Sequence, residues 1–178
     1  MPEAIRALER ALSINANYSE AWLRLGAARE YAGEPRLALE AYDQVASIDP
    51  LHTVMHVRRC LALQNLGQYA AADDACQRAF ELQPEIPNAL WARGLNALAQ
   101  GDLATAVARY REALERGPKR HDIRAELAVL YLDLGMIEAA AAELERLDDA
   151  AGDFEGALRR ARLKLAAGGK DAALRELR

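Results

Sequence analysis

The chain has 178 residues, 52% of them hydrophobic but only 6% aromatic, and a formal charge of −4. Ala and Leu supply most of the apolar content, which favours helix and disfavours a β-sandwich or a parallel-sheet enzyme core. Acidic and basic residues alternate along the chain, so the basic face of a nucleic-acid binder is missing, and no apolar run reaches membrane-spanning length.

In chain order, residues 1–18 place Ala4, Leu8 and Ala11 at helical spacing. Residues 19–52 then predict two helices. The first carries Trp22, Leu25, Gly26 and Arg29 and ends at Gly33, a residue suited to a left-handed turn. The second, over 36–48, places Ala38, Tyr42 and Val45 on one face and stops before Pro50. The small residues Gly26 and Ala38 let the two helices approach closely, with Trp22 and Tyr42 filling the space beside them. Residues 53–86 repeat this pattern with His56, Cys60 and Cys76 where Trp22, Gly26 and Tyr42 stood. The cleanest copy is 87–120, with Leu90, Gly94, Gly101, Ala106, Tyr110, Ala113 and Pro118. In 121–154, Arg124 fills the large slot and Gly152 the proline slot, which predicts a late helix start. Residues 155–178 hold a partial copy closing around Leu174.

The copies share one register. Gly33, Gly67, Gly101, Gly135 and Gly169 lie 34 residues apart, as do Pro50, Pro84 and Pro118, and Ala4, Ala38, Ala72, Ala106 and Ala140. A large residue, a small one, a glycine turn, an alanine, an aromatic, an alanine and a proline in that order make the chain resemble the tetratricopeptide repeat family, in particular its bacterial-type arrays. The resemblance implies an all-α fold, an α-solenoid of antiparallel helical hairpins wound as a right-handed superhelix. The expected organisation is a single array over 1–178, with full repeats at 19–52, 53–86, 87–120 and 121–154. A second helix of a partial repeat precedes them at 1–18, and a partial repeat or cap follows at 155–178. An opening inside a second helix reads as a segment of a longer protein.

In this family the first helices line a concave face that holds partner polypeptides. Carried over by position, the lining would be Leu23, Arg24, Ala27 and Tyr31, then Val57, Arg58, Leu61 and Asn65, then Trp91, Leu95 and Leu98, and finally Val129. Trp91 follows the large-slot residue Leu90 and is expected to point away from the hairpin core as an interface anchor. The Lys and Asn with which some members grip a terminal carboxylate are replaced by Leu23 and Ala27, so that clamp is missing. The expected partner is a protein or peptide, by preference an amphipathic helix. The alternatives are a recognition arm of a larger glycosyltransferase, sulfotransferase or methyltransferase, or a self-association module forming a homo-oligomer.

The sequence carries no catalytic constellation, cofactor fingerprint or metal motif. His52 and His56 are four residues apart without a third ligand, and Asp73–Asp74 and Asp148–Asp149 diverge around a helix. Cys60 and Cys76 occupy facing slots of one hairpin, and small apolar fillers with free thiols are the expected state. With neither an export signal nor a cysteine framework, the default location is cytoplasmic.

Overall fold

The computed structural model describes residues 2–147, so the expectations for Asp148, Asp149, Gly152, Gly169, Leu174 and the partial copy at 155–178 lie outside the described residues. These residues form α-helices α1 (Pro2–Ile14), α2 (Ser19–Tyr31), α3 (Pro35–Ile48), α4 (Thr53–Asn65), α5 (Tyr69–Leu82), α6 (Pro87–Ala99), α7 (Leu103–Arg116), α8 (His121–Asp133) and α9 (Ile137–Glu145). The fold class is all-α, built as helical hairpins of the α-solenoid type. The chain divides into two compact units, one ending at Asp102 and the other beginning at Leu103.

The turn inside each hairpin is made by one device. Gly33, Gly67, Gly101 and Gly135 have φ between 71° and 77°, in the left-handed region that glycine adopts without a Cβ penalty. At the first of them the Gly33 amide donates to the Glu30 carbonyl at 3.0 Å and the Glu34 amide to the Arg29 carbonyl at 2.9 Å. Two carbonyls at the open helix end are thereby satisfied. Open space surrounds the position of an added Cβ at Gly33, so backbone conformation alone requires the glycine.

Gly26 is required for the opposite reason. It lies in the middle of α2 with helical geometry, and a Cβ built on it would come within 2.3 Å of the Tyr42 ring. The ring is fully buried over that gap between α2 and α3. Its hydroxyl donates to Glu30 Oε2 at 2.7 Å, adding a polar tie at the far end of the same pair of helices. Arg58 Nη1 stands 3.6 Å from the same carboxylate oxygen. Burial nevertheless holds the Glu30 carboxyl above its usual range, outweighing the Tyr42 hydrogen bond and the Arg58 charge. Burial, then the Glu30 carboxylate, pushes the Tyr42 hydroxyl up as well.

Within the first unit α2 packs on α1 and α3, and α4 on α3, α5 and α6. First helices therefore bury two sides while second helices bury one stripe, as the buried sets Ala21, Leu25, Gly26, Ala28 and Ala38, Ala41, Tyr42, Val45 reflect. In the second unit α8 packs on α7 and α9. There, burial and the Glu126 carboxylate raise the Tyr110 hydroxyl above its usual range.

Two expectations are corrected. The helix of the fourth copy starts on time at His121, where the buried Arg124 donates through Nη2 to the Pro118 carbonyl at 2.9 Å and through Nη1 to Glu143 on α9. The cysteines are not free: Cys60 and Cys76 are joined by a disulfide, with Cα atoms 5.3 Å apart and both residues fully buried.

The slots of Trp22, His56 and Arg124 also hold a bond that a purely steric reading misses. Trp22 Nε1 donates to the Ala16 carbonyl at 2.7 Å, and His56 Nε2 donates to the Pro50 carbonyl at 2.9 Å. Together with Arg124 and Pro118, each reaches the carbonyl six residues back, in the turn that joins one hairpin to the next. His52 caps α4, its Nδ1 accepting from the Met55 amide at 3.2 Å. Both histidines that spaced like a metal pair are thus used in this junction.

Three outcomes follow. Gly33→Ala is expected to cost about 1–2 kcal/mol through backbone strain, and Gly33→Asn less, because Asn tolerates the left-handed region. At Gly26 the order reverses, Asn being worse than Ala, since the penalty there is overlap with Tyr42; urea denaturation of the four variants checks the ranking. Replacing both cysteines by alanine removes a cross-link between positions 16 apart and should lower stability by about 3 kcal/mol. For Glu30 the folded state holds the proton more tightly than the unfolded chain, so its stabilising contribution is full below pH 4.5 and is lost as the pH rises through the raised value. Glu30→Gln keeps an acceptor for Tyr42, and its stability relative to wild type should therefore increase from pH 4 to pH 7; an unchanging difference in urea midpoint would contradict the assignment.

Candidate functional site

The first helices of three successive copies, α2, α4 and α6, line a cleft of about 550 Å³ in the first unit. Its walls are Glu30 and Tyr31 from α2, Arg58, Leu61, Gln64 and Asn65 from α4, and Leu95, Leu98 and Ala99 from α6. The helices bring these together because each contributes positions at the same place in the 34-residue register: 30, 64 and 98, then 31, 65 and 99. Tyr31 is 75% exposed and Leu98 is 38% exposed, an amount of apolar surface left to water that the rest of α2 and α6 avoids.

The polar part of the cleft is partly committed. The Glu30 carboxylate is shared between the Tyr42 hydroxyl and Arg58. Gln64 Nε2 donates to the Ala92 carbonyl at 2.7 Å, fastening α4 to α6, and lies 3.4 Å from Cys60 Sγ. The Arg58 side chain is 39% exposed and brings a positive charge beside the leucines. The cleft therefore offers apolar contact, one guanidinium and amide groups. Among the described residues no three His, Cys, Asp or Glu side chains gather as a metal site.

Of the residues expected to line a groove, Tyr31, Arg58, Leu61, Asn65, Leu95 and Leu98 meet in this cleft. The others stand elsewhere. Arg24 is exposed and bonded to Glu20 on its own helix at 2.7 Å. Leu23 packs against the cluster of Ala38, Tyr42, Val45, Met55 and Ala62, and Ala27 is half-buried outside the cleft. Val57 is buried in the core, and Trp91 is half-buried against the cluster that contains Val57, Cys60 and Cys76. Trp91 packs half-buried on that cluster, as the cleft residue Leu61 also does, where α6 lies against the preceding hairpin. Val129 belongs to the second unit, where it is 38% exposed.

Glu30, Gln64 and Ala99 were missed although the register pointed to them. They occupy the same positions as Leu98 and as Tyr31 and Asn65, so the register that gave those three residues also points to them.

Two family profiles, both described as tetratricopeptide repeat, match residues 58–105 and 97–165, together more than half of the chain. Human tetratricopeptide repeat protein 28 is 29% identical over 108 residues, covering 61% of this chain and 4% of that protein. Human FK506-binding protein-like is 33% identical over 109 residues, covering 57% of this chain and 31% of its own length. The chain thus spans less than a third of either curated relative. Among solved structures, PilW, a type IV pilus biogenesis factor, superposes with a TM-score of 0.84 at 20% identity over 96% of this chain and 80% of that one, which speaks for the fold alone. With the 34-residue register, the glycine turns and the hairpins all in agreement, the chain belongs to the tetratricopeptide repeat family.

Proposed function

We propose that the chain is a protein-interaction scaffold that holds an amphipathic helix or apolar peptide in the cleft between α2, α4 and α6. The observation that carries this reading is the exposed apolar surface of Tyr31 and Leu98, converging with Leu61 and Leu95 on one cleft beside Arg58. A partner helix with apolar residues at i, i+3, i+4 and i+7 would cover that surface, and an acidic residue at its edge would face Arg58. Arg58 already has a carboxylate near it, so the charge adds register more than affinity, and apolar burial supplies the larger share.

Binding is supported by what the cleft contains: apolar contact groups, one guanidinium and side-chain amides. The location inferred along with it differs from the sequence default. A disulfide such as Cys60–Cys76 persists in oxidising compartments, which favours one of these over the cytoplasm.

A fluorescein-labelled helical peptide of Leu, Ala and Glu, with Leu at i, i+3, i+4 and i+7, serves as the probe. Tyr31→Ala and Leu98→Glu replace exposed side chains, so the fold should survive both, while each weakens peptide binding at least about tenfold, or ~1.4 kcal/mol. Fluorescence anisotropy that gives equal affinities for wild type and both variants would remove the cleft from the binding surface.

A further inference from the structure

We propose that the Cys60–Cys76 disulfide controls the cleft, which is competent to bind when the bond is formed and loosened when it is reduced; this rests on the cleft being the binding surface.

The argument begins with the slots the cysteines occupy. In the preceding copy the same two positions are Gly26 and Tyr42, an absent side chain under a large buried ring. In the second copy both positions change together. A side chain at position 60 would strike a tyrosine at 76, and a glycine at 60 would leave a void beside a cysteine. Two cysteines joined across the gap restore contact between α4 and α5 with a covalent bond in place of a ring.

No fully enclosed ring on α5 takes the place of Tyr42. Its buried residues are Ala72, Ala75, Cys76 and Ala79, against Ala38, Ala41, Tyr42 and Val45 on α3, and Phe80 packs only half-buried on the cluster of Val57, Cys60 and Cys76. When the bond is cut α5 keeps its alanine contacts and the half-buried Phe80 on that cluster, and two thiols, which need more separation than bonded sulfurs, must share fully buried slots.

The effect reaches the cleft along α4. Cys60 lies between Arg58 and Leu61 on that helix, and the Gln64 amide beside its sulfur also bonds the Ala92 carbonyl of α6. Four of the cleft's lining residues, Arg58, Leu61, Gln64 and Asn65, thus ride on the helix whose seating the disulfide fixes. The chemistry is a thiol–disulfide exchange. A dithiol delivers two electrons and two protons, the Cys60–Cys76 bond breaks to two thiols, and the dithiol closes to its own disulfide. Reoxidation reverses each step.

The test compares the oxidised chain with the same chain refolded in excess dithiothreitol, free thiols being verified by mass. Amide hydrogen exchange over residues 58–65 should quicken at least tenfold in the reduced protein, with α2 amides unchanged. The double variant Cys60→Gly with Cys76→Tyr restores the pair of the first copy and should hold slow exchange at 58–65 with or without reductant. Equal exchange at 58–65 in the two redox states would overturn the proposal, as would faster exchange spread equally over α2, because the bond would then be a general staple. A double variant that exchanges as fast as the reduced protein would overturn it too. These readouts need no ligand, so they stand or fall separately from peptide binding; the probe peptide, added afterwards, should bind the reduced chain at least tenfold more weakly than the oxidised one.

Discussion

The two helices of the first hairpin approach each other closely because one of them has no side chain at the crossing. The Tyr42 ring occupies the place where a Cβ on Gly26 would be, and its hydroxyl continues to Glu30 at the end of the hairpin. Much else depends on that approach. It sets how far α2 stands from α3 and so where the Glu30 carboxylate meets the cleft and Arg58. It also gives the second copy its constraint: any departure from glycine at the first slot demands a smaller partner at the second, and the joined cysteines meet that demand.

Much of the architecture was legible in the sequence because its signals are backbone signals. A glycine every 34 residues marks a left-handed φ, and φ does not depend on what surrounds the turn. Helix ends followed from the same glycines and from the prolines. The start of α8 was harder, since Arg124 in a large apolar slot looks like a fault until Glu143 and the Pro118 carbonyl are seen to take its two terminal nitrogens. A one-dimensional pattern shows the size expected of a slot but not the partners of its polar atoms.

The cleft was half legible for a related reason. Position in the repeat points to Tyr31, Arg58, Leu61, Asn65, Leu95 and Leu98, which meet in the cleft, while Val57 is buried in the core and Trp91 packs half-buried against the same cluster. A first helix in this fold is covered on two sides, so a residue beside the core face belongs to the neighbouring hairpin. The cysteines show the same limit. Facing slots establish that two side chains can meet, and the 5.3 Å between their Cα atoms is a separation that a disulfide spans.

Five of the bonds that cross from one copy to the next share a property of their acceptors. Trp22, His56 and Arg124 reach the carbonyls of Ala16, Pro50 and Pro118, Gln64 reaches that of Ala92, and Asn96 that of Tyr69. In these five the acceptor is main chain, whereas Arg29 with Glu9, Arg58 with Glu30, Arg59 with Asp43 and Arg93 with Asp73 pair side chains across copies. A carbonyl is supplied by whichever residue occupies the position, so a mutation at one of these five acceptors does not oblige a matching mutation in the neighbouring copy. The copies can drift apart in sequence, be duplicated or be exchanged while the seams between them still close, and a chain with indole, imidazole, leucine and guanidinium in four equivalent slots records that freedom.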